Sequence, residues 1–197
     1  MQSNVMNWVS SSYLKKKGIL KKQFKSAKPF PHLVLNDFFK NAKLLKSALL
    51  KENFYYQNSD LFQFHQTNDC SKAKTSVVKD FNEFFGSKDF LNFISEITGK
   101  KLTSIDMSGF IYGDTDYLLP HDDRLEGRKI AYIVNLSENF REENGGELAF
   151  FKGKQVVKRI YPKFNTFTIF EVSNKSLHEV KEVIDKKRVS FAGWFHG

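Results

Sequence analysis

From Thr103 to Phe195 the chain reads as eight short apolar runs separated by turn residues, and that rhythm leaves it few folds to choose from. The runs are Thr103–Tyr112, Tyr117–Asp123, Lys129–Leu136, Glu147–Phe151, Gln155–Tyr161, Thr166–Val172, Leu177–Val183 and Arg188–Phe195. Gly113-Asp114, Asn144-Gly145-Gly146, Gly153 and Ser173-Asn174 punctuate them, as turn chemistry does between strands. Eight strands at this spacing predict a jelly-roll β-sandwich. The first half reads differently. Leu33-Val34-Leu35 is a short strand followed by a helix cap at Asn36-Asp37, and Leu44, Leu45, Ala48 and Leu49 recur at helical spacing through Glu52. Residues 54–64 suggest one strand and 66–75 a polar loop. Helices over Val77–Phe85 and Asp89–Thr98 follow, the second ended by Gly99. Such helices would cover one outer face of the sheet, giving an α+β chain.

Within those strands, four residues carry chemistry. The text Pro120-His121-Asp122-Asp123 is followed by Leu177-His178-Glu179 and, ten residues after His178, by Arg188. In an extended strand, alternate side chains share a face, so this reading groups His121 with Asp123 and turns Asp122 away. A His-x-Asp tripeptide alone arises by chance in charged loops. Joined by a later histidine on another strand it makes two imidazoles and a carboxylate, the facial set that leaves open positions on non-haem Fe(II). The guanidinium of Arg188 suits bidentate capture of a carboxylate, and alternation puts Ser190, Ala192 and Trp194 on its face. Trp194 is expected to line the cleft, while His32, His65 and His196 fit no ligand spacing.

Five stretches extend the reading: Pro29-Phe30-Pro31-His32, Asp60 to Thr67, His121 to Arg128, Gly145-Gly146-Glu147-Leu148, and Ser190 to His196. On these the chain resembles the Fe(II)/2-oxoglutarate-dependent prolyl hydroxylases, and most narrowly the ribosomal prolyl hydroxylases, which modify a proline in a small-subunit ribosomal protein. The resemblance runs in order over about residues 24–197 and matches the family's catalytic domain only. It implies a double-stranded β-helix (jelly-roll) core with N-terminal supporting helices. It also implies Fe(II) on His121, Asp123 and His178, with 2-oxoglutarate and O2 as co-substrates and ascorbate as a supporting reductant. Arg188 would take the distal carboxylate of 2-oxoglutarate, with Tyr112 and Asn135 beside it. Asn135 stands where the family usually has a tyrosine. The Asp60–Cys70 stretch would be a substrate lid.

Composition bounds the rest. A 197-residue chain with 41% hydrophobic residues and 21 Phe can bury one sizeable core. The organisation expected is a basic arm over 1–28 and a single oxygenase domain over 29–197. The formal charge is +9, but residues 1–28 hold seven lysines and no acids, which leaves +2 for all that follows. That arm reads as a solvated lysine-rich helix or tail that could touch phosphates. The alternative function is therefore a 2-oxoglutarate oxygenase acting on nucleic acid or on another protein residue. Trp194 counts against nucleic acid, because oxygenases of that kind carry a second arginine there; an inactive binding sandwich is the other rival. Single Cys70, no apolar leader and no membrane span predict a cytoplasmic monomer. Its protein substrate, if a basic ribosomal loop, would be captured by Asp122, Glu126 or Glu147.

Overall fold

The computed structural model describes residues 5–197. Three short helices open the chain: α1 (Val5–Trp8), α2 (Ser11–Leu14) and α3 (Lys17–Ser26). Then come β1 (His32–Asn36), α4 (Ala42–Leu49), β2 (Phe54–Ser59) and β3 (Phe62–Thr67). A 3-10 turn at Cys70–Lys72 leads to α5 (Ser76–Gly86) and α6 (Lys88–Thr98). Eight strands follow: β4 (Ser104–Tyr112), β5 (Tyr117–His121), β6 (Arg128–Asn135), β7 (Leu148–Lys152), β8 (Gln155–Ile160), β9 (Thr166–Glu171), β10 (His178–Val180) and β11 (Arg188–His196). All eight runs read from the sequence after Lys101 are strands, the seventh cut to three residues.

The strands form one antiparallel path, β1-β9-β6-β11-β4-β3-β5-β10-β7-β8, with β2 hanging on β3. β3 is the corner. His65 and Gln66 pair with β4, whereas Phe62 and Gln63 pair with β5, so one strand joins the two halves of the curled sheet. Alternation then decides what each half buries. Along β11, Val189, Phe191 and Phe195 are buried in the helix-side core, while Arg188, Ser190, Ala192 and Trp194 line a cavity on the other side. That core is built mainly of phenylalanine. Phe81, Phe84 and Phe85 of α5 and Phe90 and Phe93 of α6 meet Phe167, Phe191 and Phe195 of the sheet, each buried ring contributing about 1.5–3 kcal/mol. A smaller cluster holds Phe30, Phe64, Phe150 and Phe170, of which Phe64 and Phe170 line the cavity.

Local chemistry explains the boundaries. Ser87 caps α6 by accepting from the Phe90 N–H, and Gly99 ends it in the left-handed region at φ 75°, where glycine carries no steric penalty. Two early expectations are corrected. Residues 54–64 are not one strand: Ser59 Oγ accepts from the Leu61 N–H at 3.1 Å, turning the chain into a hairpin. The helix after β1 is capped not at Asn36-Asp37 but at Asn41, because Asp37 takes a left-handed turn at φ 51°.

The lysine-rich stretch is also tied down. Its lysines face outward, but Leu20 and Phe24, one helical turn apart on α3, are buried with Phe38 and Ile94 in the main core. Lys17 Nζ pairs with Glu96 at 2.8 Å, the Tyr13 hydroxyl donates to Asn36 O at 2.6 Å, and Val9 bridges to Phe39. Residues 8–28 are thus solvated on one side and packed on the other.

Candidate metal and co-substrate site

β5 and β10 are antiparallel neighbours, and their register sets His121 directly opposite His178. The two rings lie 4.2 Å apart. Asp123 arrives by a different route from the one strand alternation suggests. β5 ends at His121, and Asp123 sits at φ 59°, a left-handed conformation that aspartate tolerates better than most residues. The turn brings its carboxylate between the imidazoles: Oδ1 is 3.3 Å from His121 Nε2 and Oδ2 is 3.3 Å from His178 Nε2. One ligand atom from each residue falls within 4.8 Å of the others.

Both histidines are oriented from behind. His121 Nδ1 lies 2.8 Å from Leu119 O, and His178 Nδ1 lies 2.7 Å from Ser176 O. A carbonyl can only accept, so Nδ1 carries the proton and Nε2 faces the site with its lone pair when the ring is neutral, the arrangement usual for a metal-binding histidine. Burial pushes the Asp123 carboxyl up, but hydrogen bonds and charge from both imidazoles outweigh it and hold the group well below the usual carboxylate range. Burial lowers the His121 pKa, and Asp123 more than reverses this. An ionised carboxylate between two fixed nitrogens is a donor set suited to a first-row divalent cation such as Fe(II).

Across a cavity of about 640 Å³ stands Arg188, only 3% exposed. It has no acidic partner among the described residues. Its Nη1 donates to Ser190 Oγ at 3.3 Å, its Nε is buried with no acceptor, and burial lowers its pKa. A buried guanidinium left this way carries a desolvation cost that a ligand carboxylate would offset. The orphaned Nε therefore fits a dicarboxylate such as 2-oxoglutarate. Tyr112 is paired with Arg188 across β4 and β11, its ring 5.1 Å from the guanidinium. Burial raises its hydroxyl pKa, so it remains a neutral donor.

The sequence-based residues divide as follows. His121, Asp123, His178, Arg188 and Tyr112 all line the cavity; Asn135 does not. Asn135 pairs with Ser190 in register, and its Oδ1 accepts from the Ser137 N–H at 2.9 Å just past the end of β6. Asp122 is held by Arg124 at 2.9 Å. Glu147 is buried against Arg159, so it cannot greet a basic loop. His65 and His196 lie near Asp116 and Asp106 respectively, and His32 bonds Phe30 O.

Two features escaped the sequence. Gly146 has φ 66°, and a Cβ there would lie 3.1 Å from Val183 Cγ2 and 3.2 Å from Phe140 Cε1, while one on Gly145 would strike Glu182 O, so the Gly-Gly pair lets the chain pack closely beside the segment leading to Arg188. Arg128 lays its guanidinium 3.3 Å above the Trp194 ring. No spacing joins those two residues; on the neighbouring strands β6 and β11, Arg128 is in register with His196 and Trp194 with Ala131.

Residues 107–196 match the sequence model of a family described as the 2OG-Fe(II) oxygenase superfamily. Over 181 residues the chain is 39% identical to "Prolyl 3-hydroxylase OGFOD1" of Xenopus laevis, covering 86% of this chain and 35% of that protein. For the Mus musculus protein of the same name the identity is 35%, with 86% and 33% covered. The chain thus spans about a third of the length of the curated relatives it matches. In fold it is similar to a Pseudomonas putida prolyl-4-hydroxylase, with a TM-score of 0.72 at 15% identity, covering 90% of this chain and 98% of that one. The curled antiparallel sheet is the double-stranded β-helix of such enzymes. With sequence agreement running through the strands that carry the triad and Arg188, the chain belongs to the 2OG-Fe(II) oxygenase superfamily.

Proposed function

We propose that this chain is an Fe(II)- and 2-oxoglutarate-dependent dioxygenase that hydroxylates a prolyl residue of a protein. The observation that carries this reading is the pairing, in one cavity, of the His121–Asp123–His178 set with a buried arginine that has no acid of its own. When bound, Fe(II) with 2-oxoglutarate and O2 supplies the oxidation: the co-substrate becomes succinate and CO2, taking one oxygen atom, and the other enters a substrate C–H bond. The protein's part is binding, orientation and exclusion of water. His121 and His178 offer Nε2, fixed by the carbonyls of Leu119 and Ser176. Asp123 offers an ionised carboxylate. Arg188, with the Tyr112 hydroxyl beside it, anchors the distal carboxylate of the co-substrate and so sets which end faces the metal ligands. Phe64, Phe110 and Phe170 keep the chamber apolar, which strengthens those charged contacts. Leu61 and Phe62, at the tip of the β2–β3 hairpin, also line it; the lid expected over Asp60–Cys70 is confined to that tip, because β3 is a central strand paired with β4 and β5 and Cys70 is buried.

The choice of proline rests on the names of the relatives and on the His121–Arg128 and Asp60–Thr67 stretches, since a metal triad does not discriminate among C–H bonds. The narrower substrate is the small-subunit ribosomal protein modified by the family the sequence resembles. Cytoplasmic residence is part of the same proposal. It is supported by the one cysteine, buried and free; no helix among the described residues is long and apolar enough to cross a membrane. The test is incubation of the ribosomal loop peptide with protein, Fe(II), 2-oxoglutarate and O2. Succinate release and a gain of one oxygen confined to proline are expected. Turnover stimulated by methylated nucleic acid and not by peptides would overturn the reading.

A further inference from the structure

Tyr112 and Arg188 form the last rung of the β4–β11 ladder: β4 ends at the tyrosine and β11 begins at the arginine. Ladder ends fray first, because no further pair holds them on one side. Two residues that must meet the same ligand carboxylate therefore need a tie beyond the ladder.

That tie is the turn after Tyr112. Thr115 stands at φ 68°, a left-handed conformation that a β-branched residue resists and that persists only where the surroundings impose it. Asp116 imposes it. Its Oδ2 accepts the Gly113 N–H at 2.7 Å, and its own N–H donates to Gly113 O at 3.2 Å. The closed turn then grips the segment that leads into Arg188. Thr115 N–H donates to Val183 O at 2.8 Å, Asp116 O accepts the Val183 N–H at 3.0 Å, and Asp114 Oδ1 accepts the Asp185 N–H at 2.8 Å. From the other side, the Gly146 N–H donates to Glu182 O at 3.0 Å and the Ile184 N–H to Asn144 O at 2.9 Å. Residues 182–185 are thus held between the turn after Tyr112 and the Gly145-Gly146 loop.

Asp116 is only 3% exposed, a costly place for a carboxylate. The charged group beside it is His65, with Nδ1 3.9 Å from Oδ2, and that ring carries charge only when protonated. The carboxylate also acts on the phenol. Burial raises the Tyr112 hydroxyl pKa, Arg188 pulls it down, and Asp116 pushes it up again, which keeps the hydroxyl a donor. We propose that Asp116 is a positioning residue for the co-substrate: it closes the turn that holds the Tyr112 hydroxyl and the Arg188 guanidinium on the same side of the cavity. This rests on the 2-oxoglutarate reading above.

Calorimetric titration of the Zn(II)-loaded protein with 2-oxoglutarate tests it without turnover. Asp116→Ala should raise the 2-oxoglutarate Kd about tenfold, the effect of one hydrogen bond to a charged group, with Zn(II) affinity unchanged. Asp116→Asn keeps an acceptor for the Gly113 N–H and should recover most of that loss. Asp114→Ala, an exposed change that opens another bond of the same clamp, should raise the Kd about threefold, and it decides the matter if Asp116→Ala does not fold. Glu52→Ala is the control. That carboxylate accepts from the Lys74 and Thr75 N–H groups and lies outside the cavity lining, so its loss should lower the melting temperature at wild-type 2-oxoglutarate affinity. Unchanged 2-oxoglutarate affinity in folded Asp116→Ala, or in Asp114→Ala where the first does not fold, overturns the proposal. An equal loss in Glu52→Ala, or an Asp116→Asn protein as weak as Asp116→Ala, overturns it too. If the wild-type protein does not bind 2-oxoglutarate, the co-substrate reading falls and the positioning role falls with it.

Discussion

His121 and His178 face each other in register across β5 and β10, and the carboxylate of Asp123 reaches both Nε2 atoms at 3.3 Å. Asp122, one residue earlier, is instead tied to Arg124. The two neighbouring aspartates should therefore behave very differently. Asp123→Ala is expected to weaken Fe(II) binding by more than roughly 100-fold, since even outer-sphere partners of ligands contribute 10–100-fold. Asp122→Ala breaks an exposed pair worth about 0–1 kcal/mol and should leave metal affinity nearly unchanged. Metal titration of both variants checks this; the reverse ranking would move the third ligand to Asp122.

Arg188 is expected to govern the co-substrate and not the metal. Arg188→Ala should cost about 2–5 kcal/mol of 2-oxoglutarate binding, the range for removing one partner of a buried charged pair, with Fe(II) affinity intact. Asn135 provides the contrast. Because its amide caps Ser137 and lies outside the cavity lining, Asn135→Ala should lose about 1 kcal/mol of stability and keep co-substrate affinity. Calorimetric titration with 2-oxoglutarate, beside thermal melts, separates the two effects. A weakened co-substrate in the Asn135 variant would return that amide to the site.

The lysine-rich helix leads to a stability prediction. Deleting residues 1–26 removes Leu20 and Phe24 from the core, and Phe24→Ala alone should destabilise by about 3–5 kcal/mol. Replacing exposed Lys21 and Lys22 with Gln should change stability by no more than about 0.5 kcal/mol. Urea melts decide it. A truncated protein as stable as the full chain would mean that these helices contribute nothing to the fold.

The strands of the second half were legible because turn residues bound each short apolar run: β8 alternates between exposed and half-buried residues, while β7, β9 and β10 are buried on both faces. The N-terminal anchoring was not. Leu20 and Phe24 are spaced one turn apart, which is the amphipathic signal, but seven lysines around them weigh the segment toward solvent. Convergence of the triad was legible from residue types and order, whereas its cause was not. Strand alternation put Asp123 with His121; the structure achieves it with a left-handed turn after the strand ends, and no local pattern in Asp-Asp-Arg announces that backbone. Asn135 lies off the cavity lining for a related reason. Its strand face is the cavity-side face, but β6 ends there and the Ser137 N–H supplies a nearer partner.

Cys70 gives the alkaline prediction. The thiol lies in the turn between β3 and α5 and is 1% exposed, and burial pushes its pKa up to about 12 from 9.0. The raised value means that the fold disfavours the thiolate. The associated stability is therefore fully present below about pH 9 and is lost as pH climbs from 9 toward 12, by up to about 1.4 kcal/mol per pH unit. Cys70→Ala removes this titration, so its stability should fall less steeply than wild type over that window; lysines and tyrosines titrate equally in both and cancel in the difference. The native thiol should also resist iodoacetamide at pH 8, where an exposed cysteine is partly thiolate. Parallel urea melts at pH 8, 9 and 10 test the slope, and mass spectrometry after alkylation tests the access. Rapid labelling of the folded protein, or identical alkaline slopes in the two proteins, would show that Cys70 is not sealed in the core.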